Sequence, residues 1–144
     1  MKYSIKASSY SKDNASINIK ESVIKFGTTP ESADTLANPA ELFLSSFAAC
    51  ILKNVERFSE LMKFKYINAD IVVTATRLEK PPRMDEVEYN LIIHTDQPDL
   101  NADLLKKNIE KFGTIFNTVK LSCEIKGNIK CVLNNANSEN WNGN

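Results

Sequence analysis

The sequence contains one histidine, His94, and three cysteines among its 144 residues. A structural zinc site needs about four Cys or His ligands at paired spacings, so this composition predicts no bound metal. Catalysis by a Ser-His-Asp or Cys-His group would have to use His94. That residue lies in an alternating apolar and polar run typical of a β-strand, where an ordinary structural histidine is the better interpretation.

The sequence also lacks an excess of either charge, since 18 basic residues balance 18 acidic ones. A nucleic-acid partner would need a positive stripe, and a lipid surface would need a polybasic cluster. The longest apolar-rich stretch without charge, residues 42–52, is shorter than the ~20 residues of a bilayer span. The first residues alternate and contain no apolar block typical of a signal peptide. We therefore expect a cytoplasmic protein with no membrane or nucleic-acid partner.

The three cysteines, Cys50, Cys123 and Cys131, are too few and odd in number for a disulfide framework. In a reducing compartment they are expected to be free thiols, and a disulfide there is more often catalytic than structural. We expect Cys123 and Cys131 on one face of a single strand, too far apart to pair with each other.

The order of predicted elements is strand, strand, long helix, strand, strand, helix pair, strand. This order is typical of an α+β fold with helices packed on a mainly antiparallel sheet. We expect one domain over residues 1–133 and a polar, disordered tail over residues 134–144. The strands are expected near residues 3–7, 15–27, 69–77, 86–94 and 121–133, the helices near 39–64 and 104–119 with a break at Gly113, and a proline-stiffened loop over 78–85.

The first helix has a well-marked start. Asn38 is a good N-cap, Pro39 suits the first helical position, and Glu41 stands where a capping box has its acid. Over residues 42–52 the helix is apolar on nearly every face, so it must be covered on more than one side. A second copy of the chain is a natural candidate for part of that cover.

Cys50 lies within this apolar part of the helix and has two interpretations. A buried cysteine commonly acts as a small hydrophobe, and the pattern alone favours this role. A reactive thiol would need a nearby cation or strong hydrogen-bond donors, and the nearest cation in the sequence is Lys53. Glu41 is either the capping acid or a residue that holds a basic group from another segment for chemistry at Cys50.

Residues 38–50, which read Asn-Pro-Ala-Glu-Leu-Phe-Leu-Ser-Ser-Phe-Ala-Ala-Cys, resemble the central-helix signature of the OsmC/Ohr superfamily. Residues 77–83 and 108–119 resemble the middle hairpin and the second-helix segment of that family. The order of elements is similar over nearly residues 1–132. The resemblance implies an OsmC-like fold in tightly intertwined dimers, with the long helices at the centre. It also implies a thiol peroxidase for organic hydroperoxides, without metal or organic cofactor, in which Cys50 matches the peroxidatic position.

Three positions depart from the pattern of the organic-peroxide branch. The segment that opens with the resolving cysteine in that family opens here with Gly113. The first hairpin contains no arginine, and Lys12 is the only cation near its turn. The acid follows Pro39 by two positions, as Glu41, which is the arrangement of the broader OsmC-like branch. The resemblance therefore implies a divergent OsmC-like protein.

The leading hypothesis is a homodimeric antioxidant protein that reduces organic hydroperoxides through the Cys50 thiolate. Glu41 would orient a cation or a loop of the partner chain. The sulfenic acid formed on Cys50 would be resolved by an external thiol reductant, by Cys123 or by Cys131.

The alternative hypothesis is a non-enzymatic protein on the same fold. It would bind an apolar small molecule or a lipid-like acid in an interface pocket lined by Phe47, Phe112 or Phe116. A redox sensor, in which slow oxidation of one cysteine alters the dimer, is the third interpretation.

Overall fold

The computed structural model describes residues 1–13 and 15–134 and has the α+β architecture predicted from the sequence. Within these residues, three helices accompany two three-stranded sheets, and a short 3₁₀ turn, Pro30–Ser32, precedes the first helix. The strands are β1 Lys6–Ser9, β2 Ala15–Ile19, β3 Ser22–Phe26, β4 Asn68–Glu79, β5 Pro82–Thr95 and β6 Ile125–Leu133, and the helices are α1 Pro39–Leu61, α2 Ala102–Phe112 and α3 Thr114–Val119. Beyond Asn134, the predicted tail lies outside the described residues.

The chain forms two compact units, an N-terminal unit up to Phe43 and a C-terminal unit from Leu44 onward. The single domain expected over residues 1–133 stays a prediction. No helix in the described part of the chain is both long enough and apolar enough to cross a membrane.

The N-terminal unit holds an antiparallel sheet in the order β1-β2-β3. The prediction of one long second strand over residues 15–27 was wrong, because the chain turns at Lys20 and Glu21 and pairs Ile19 with Ser22. Lys20 has a φ of 54°, a left-handed conformation common in tight hairpin turns and usually supplied by Gly, Asn or Asp. The absence of those residue types from the turn hid it from the sequence pattern.

The start of α1 confirms the predicted capping box. Asn38 Oδ1 accepts a hydrogen bond from the backbone N–H of Glu41 at 2.9 Å. In return, Glu41 Oε1 accepts from the backbone N–H of Asn38 at 3.1 Å. Each side chain satisfies a backbone N–H that the helix itself leaves unpaired, and a cap of this kind stabilises a helix by about 1 kcal/mol.

The end of α1 falls at Leu61, slightly before the expected end near Phe64. Lys63 adopts a left-handed φ of 57°, and the N–H of Phe64 bonds the carbonyl of Ser59 at 2.9 Å. This bond closes the last turn in the way that glycine usually allows at a helix C-terminus. A lysine in the glycine position explains why the sequence did not mark the stop clearly.

The C-terminal unit holds a sheet in the order β4-β5-β6, in which the central β5 is antiparallel to β4 and parallel to β6. The expected loop over residues 78–85 was wrong, since both strands continue into this segment. Glu79 pairs with Pro82, and only Lys80 and Pro81 form the turn. The prolines therefore shape a tight hairpin rather than an open loop.

The strand β6 begins at Ile125 rather than at the expected Leu121. The backbone N–H groups of Ser122 and Cys123 bond the carbonyl of Val119 at 3.0 and 2.8 Å, so residues 119–123 form a turn. Cys123 therefore precedes the strand. The prediction that it shares a strand face with Cys131 was wrong.

The core of the C-terminal unit forms where α1 and α3 meet the sheet. Alternate side chains of β5 are buried, with no more than 1% of their surface exposed: Val87, Tyr89, Leu91 and Ile93. The ring of Phe47, on α1, lies 6.1 Å from that of Tyr89 and 5.8 Å from that of Phe116, on α3. These aromatic contacts fix the part of α1 that carries Cys50.

Candidate active site

Cys50 lies on α1 in a free and partly exposed state. Its neighbours Phe47 and Ile51 are both 0% exposed, so this face of the helix is anchored in the core. Ser46 and Ala49, which flank the thiol on the side away from Phe47 and Ile51, are small and exposed. Cys50 therefore combines a fixed position with the partial access to solvent that a reactive cysteine requires.

Gly113 packs directly against the Cys50 sulfur. A β-carbon at this position would lie 3.3 Å from Cys50 Sγ, 3.0 Å from Phe116 Cβ and 2.9 Å from the carbonyl oxygen of Ile109. The backbone of Gly113 has a φ of −71°, which any residue adopts, so the close approach rather than the dihedral angle favours glycine here. The predicted break at Gly113 is confirmed, because this residue ends α2 and begins α3.

Asn54 supplies a hydrogen-bond donor beside Cys50 that the sequence analysis missed. Asn54 is only 8% exposed. Its side-chain nitrogen, Nδ2, lies 2.9 Å from the Cys50 carbonyl oxygen and 3.7 Å from Cys50 Sγ. Residues four apart share a helix face. A lone amide at that spacing among apolar neighbours is the signal from which the sequence could have identified Asn54.

The aromatic residues proposed to line an apolar pocket do not share one environment. Phe47 and Phe116 are 0% and 5% exposed and pack in the core. Phe112 is 45% exposed, and the guanidinium of Arg57 lies 5.7 Å from its ring centre. Phe47 and Phe116 thus support the helix that carries Cys50, whereas Phe112 lies at the surface under a cation.

The two arginines that flank the diproline turn are paired with acids on their own strands. Arg77 lies 2.6 Å from Glu79, and Arg83 lies 2.9 Å from Asp85. Both arginine side chains are about half exposed, at 55% and 46%. Both arginines therefore pair with acids at the surface of the hairpin.

Glu41 belongs to the N-terminal unit, where its carboxylate closes the capping box with Asn38. The interpretation of Glu41 as a capping acid is confirmed. Its additional role in orienting a cation for Cys50 stays a prediction.

The other two thiols have surroundings of their own. Cys123 is 8% exposed, and its Sγ donates to the carbonyl oxygen of Met84 at 3.2 Å. Cys131 lies on β6, where burial raises the pKa of its thiol. Burial favours the neutral form of the Cys131 thiol, because a buried charge is costly.

His94 has the structural role expected of it. Its Nε2 lies 3.1 Å from Asp70 Oδ2, which joins neighbouring strands β4 and β5. Among the described residues, no three His, Cys, Asp or Glu side chains converge in a way that could hold a metal ion.

A comparison with protein families finds a match to the OsmC-like protein model over residues 32–128, which includes both Cys50 and Gly113. This chain belongs to the OsmC family. No curated protein matches its sequence.

Solved structures share the OsmC fold with this chain. An OsmC-like protein from Mycoplasma pneumoniae is 18% identical, with a TM-score of 0.82 over 92% of this chain and 98% of its own. An organic hydroperoxide resistance protein from Elizabethkingia anophelis is 17% identical, with a TM-score of 0.68 over 92% and 99% of the two chains. The organic hydroperoxide resistance protein OhrB of Bacillus subtilis is 17% identical, with a TM-score of 0.61 over 90% and 98%. At these identities the likeness establishes the OsmC fold.

Proposed function

We propose that this OsmC-family protein is a cysteine-dependent antioxidant protein that reduces organic hydroperoxides through the Cys50 thiolate. The observation that carries the proposal is a free, partly exposed thiol on the long helix, packed against Gly113 and beside a donor amide. The names of two structural relatives, which refer to organic hydroperoxide resistance, support the choice of substrate class.

In the proposed reaction, the Cys50 thiolate attacks the terminal oxygen of the hydroperoxide. The sulfur–oxygen bond forms while the oxygen–oxygen bond breaks, and the departing alkoxide takes a proton from solvent to become an alcohol. The sulfur is oxidised to a sulfenic acid, and the peroxide is reduced. Glu41 orients a cation or a partner-chain loop toward the site in this proposal.

An external thiol then resolves the sulfenic acid. Gly113 carries no sulfur at the position that packs against Cys50, and the Cys123 thiol is directed at the carbonyl of Met84. One external thiol condenses with the sulfenic acid, releases water and leaves a mixed disulfide on Cys50. A second thiol attacks this disulfide, so that the Cys50 thiol is restored and the reductant leaves as its own disulfide.

The proposal includes a homodimer. Apolar side chains of the N-terminal unit are exposed: Tyr3 by 84%, Ile5 by 56%, Val23 by 62% and Ile24 by 38%. Val23 and Ile24 are adjacent on β3 and therefore point to opposite faces of the sheet. Because exposed apolar surface favours association, a second copy of the chain would stabilise this sheet by covering it. Light scattering measures the mass in solution directly.

A cytoplasmic location is also part of the proposal. The three cysteines are free, which fits a compartment in which thiols stay reduced. Such a compartment also supplies the external thiol that the proposed cycle consumes.

Consumption of cumene hydroperoxide tests the proposed activity. The full chain is mixed with cumene hydroperoxide and excess dithiothreitol, and the remaining oxidant is measured over time. We expect turnover with the unmodified protein and a fall to the buffer background with Cys50→Ser. Cys131→Ser is the matched control and should keep its activity, because that thiol lies on β6. Equal rates for the unmodified protein and Cys50→Ser would contradict the proposal.

A non-enzymatic binding or redox-sensing protein is the second candidate, and Gly113 at the resolving position is the observation that favours it. Native mass spectrometry of the purified protein distinguishes the candidates. A co-purified apolar ligand, together with no Cys50-dependent turnover, would support the binding function. Oxidation of Cys50 that alters the dimer without turnover would support the sensor.

A further inference from the structure

Asn54 is a buried polar residue on the long helix α1. It is 8% exposed and shares the inner side of α1 with the buried Ile51, Val55 and Phe58. Asparagine is a weak helix former, and burying its amide costs free energy unless each polar atom is bonded. An apolar residue of similar size would pack at this position without that cost, so the amide itself calls for an explanation.

The contacts of Asn54 fix the orientation of its amide. The carbonyl oxygen of Cys50 only accepts hydrogen bonds, so the group 2.9 Å away must be the NH₂ rather than the amide oxygen. An NH₂ group has two hydrogens. One serves this carbonyl, and the other is available to Cys50 Sγ, which lies 3.7 Å from the same nitrogen. The carbonyl bond therefore holds a donor beside the sulfur.

We infer that Asn54 is a positioning residue that stabilises the ionised form of Cys50 by donating a side-chain N–H to its sulfur. The inference rests on the proposed function for its use in catalysis. A thiolate accepts a hydrogen bond more strongly than a neutral thiol does, so a fixed donor favours ionisation. The negative charge then lies on the atom that attacks the peroxide.

The cations of the surrounding helices α1 and α2 contact other groups or are exposed. On α1, Arg57 lies over the rings of Phe58 and Phe112, at 5.4 and 5.7 Å, and Lys53 is exposed. On α2, Lys111 lies 5.2 Å from the Phe112 ring centre.

Also on α2, Glu110 bonds both Tyr89 and Lys106 at 2.8 Å. The short helix α3 contains no charged residue. Asn54 Nδ2, by contrast, lies 3.7 Å from the sulfur itself.

The experiment measures alkylation of Cys50 by iodoacetamide as a function of pH in the full chain, with mass spectrometry of the Cys50 peptide. Asn54→Leu keeps the branched shape and the number of side-chain heavy atoms, and it removes the donor. We expect its alkylation midpoint to rise by about one pH unit, a roughly tenfold slower reaction below the midpoint, because one charge-assisted hydrogen bond is lost. Asn54→Asp should raise the midpoint further, since a carboxylate repels the thiolate.

Ser59→Ala is the matched control. Ser59 is also 8% exposed on α1, and its hydroxyl donates to the backbone carbonyl of Glu56 at 2.7 Å, away from Cys50. This variant should leave the alkylation profile unchanged, and thermal unfolding shows whether each variant is folded. A folded Asn54→Leu protein with an unchanged midpoint would overturn the inference.

Alkylation needs no peroxide, so the two proposals can fail separately. If the unmodified protein consumes no hydroperoxide while Asn54→Leu still shifts the alkylation midpoint, the proposed function fails and the inference stands. If hydroperoxide turnover depends on Cys50 but folded Asn54→Leu and Asn54→Asp both retain the unmodified pH profile, the proposed function stands and the inference fails.

Discussion

The backbone of Gly113 contacts the Cys50 sulfur so closely that a β-carbon at position 113 would lie 3.3 Å from Sγ. The two residues are remote in sequence, and the junction of α2 and α3 brings them together. In a disulfide, the β-carbon of one cysteine lies about 3 Å from the sulfur of the other. The geometry of an intramolecular disulfide is therefore nearly present, although the second sulfur is not.

Replacing Gly113 by cysteine should create a disulfide with Cys50. We expect Gly113→Cys to lose about 2 Da on treatment with one equivalent of cumene hydroperoxide, as two thiols are oxidised to one bond. Mass spectrometry of the non-reduced protein measures this loss and locates the linked peptides. Gly113→Ser is the control, since it adds a similar side chain without sulfur. Failure of Gly113→Cys to cross-link, while folded, would contradict the geometry.

The same substitutions should reduce stability. A side chain at position 113 would crowd the Ile109 carbonyl oxygen at 2.9 Å and Phe116 Cβ at 3.0 Å. Overpacking of this kind costs about 1–3 kcal/mol in the free energy of unfolding. Urea unfolding of Gly113→Ala measures this cost without any effect of a new polar group, and an unchanged midpoint would show that the junction adapts.

A second glycine, Gly127, faces an aromatic ring on the neighbouring strand. Tyr89 pairs with Gly127 on the neighbouring strand, and a β-carbon at Gly127 would overlap the Tyr89 ring. Gly127→Ala should lower the free energy of unfolding by about 3 kcal/mol, because the Tyr89 ring is fully buried and cannot move aside freely. Chemical denaturation measures this loss.

A double-mutant cycle isolates the contact between the two side chains. In a Tyr89→Leu background the ring is absent, so Gly127→Ala should cost much less than it does in the unmodified protein. Additive costs would show that the destabilisation has another origin, such as a change in the β6 backbone.

Stability at low pH should depend on Asp85. Hydrogen bonds from the backbone N–H of Glu124 and of Glu86, and then from Arg83, lower the pKa of Asp85 below its usual value near 3.8. A carboxyl with a lowered pKa in the folded state stabilises the protein above its unfolded pKa, and this contribution is lost as pH falls through the folded pKa. We expect Asp85→Asn to lose stability at neutral pH and to show a weaker pH dependence below about pH 4.

Urea unfolding between pH 2.5 and 7 measures the effect. Asp99→Asn is the control, because Asp99 is exposed in the segment before α2. Parallel stability curves for the unmodified protein and Asp85→Asn across this range would contradict the assigned role.

Glu41 can be tested for its two roles by one conservative change. Glutamine also closes a capping box, so Glu41→Gln should leave the free energy of unfolding nearly unchanged. Asn38→Ala removes the cap and should cost about 1 kcal/mol. If Glu41 also orients a cation for Cys50, Glu41→Gln should reduce hydroperoxide turnover at unchanged stability. Full turnover in Glu41→Gln would contradict the proposed role in orienting a cation.

Features that depend on neighbouring residues were predictable from the sequence. The capping box of Asn38 and Glu41 and the break at Gly113 were found in this way, because each depends on residues within one helical turn. The order of elements from α1 onward, and with it the α+β class, followed from apolar periodicity. Asn54 could also have been found, since its spacing of four from Cys50 is a local relationship.

Two local features misled the sequence analysis for a physical reason. Lys20 and Lys63 adopt left-handed conformations that the pattern assigns to glycine or asparagine. In the structure, the strand pairing of β2 with β3 fixes Lys20, and the bond from Phe64 to Ser59 accompanies Lys63. The backbone hydrogen bonds that close each turn therefore outweighed intrinsic preference.

The sequence by itself determined the fold class, the family and the start of α1. It also identified Cys50 and Gly113 as the two positions on which the proposed chemistry depends. Only the tertiary structure decided which distant groups meet: Gly113 packs against Cys50, and the Cys123 thiol bonds the carbonyl of Met84. The physical reason is distance along the chain. Periodicity shows which side of an element is buried, but the register between elements, and hence the partner of each buried atom, depends on how all of them pack at once.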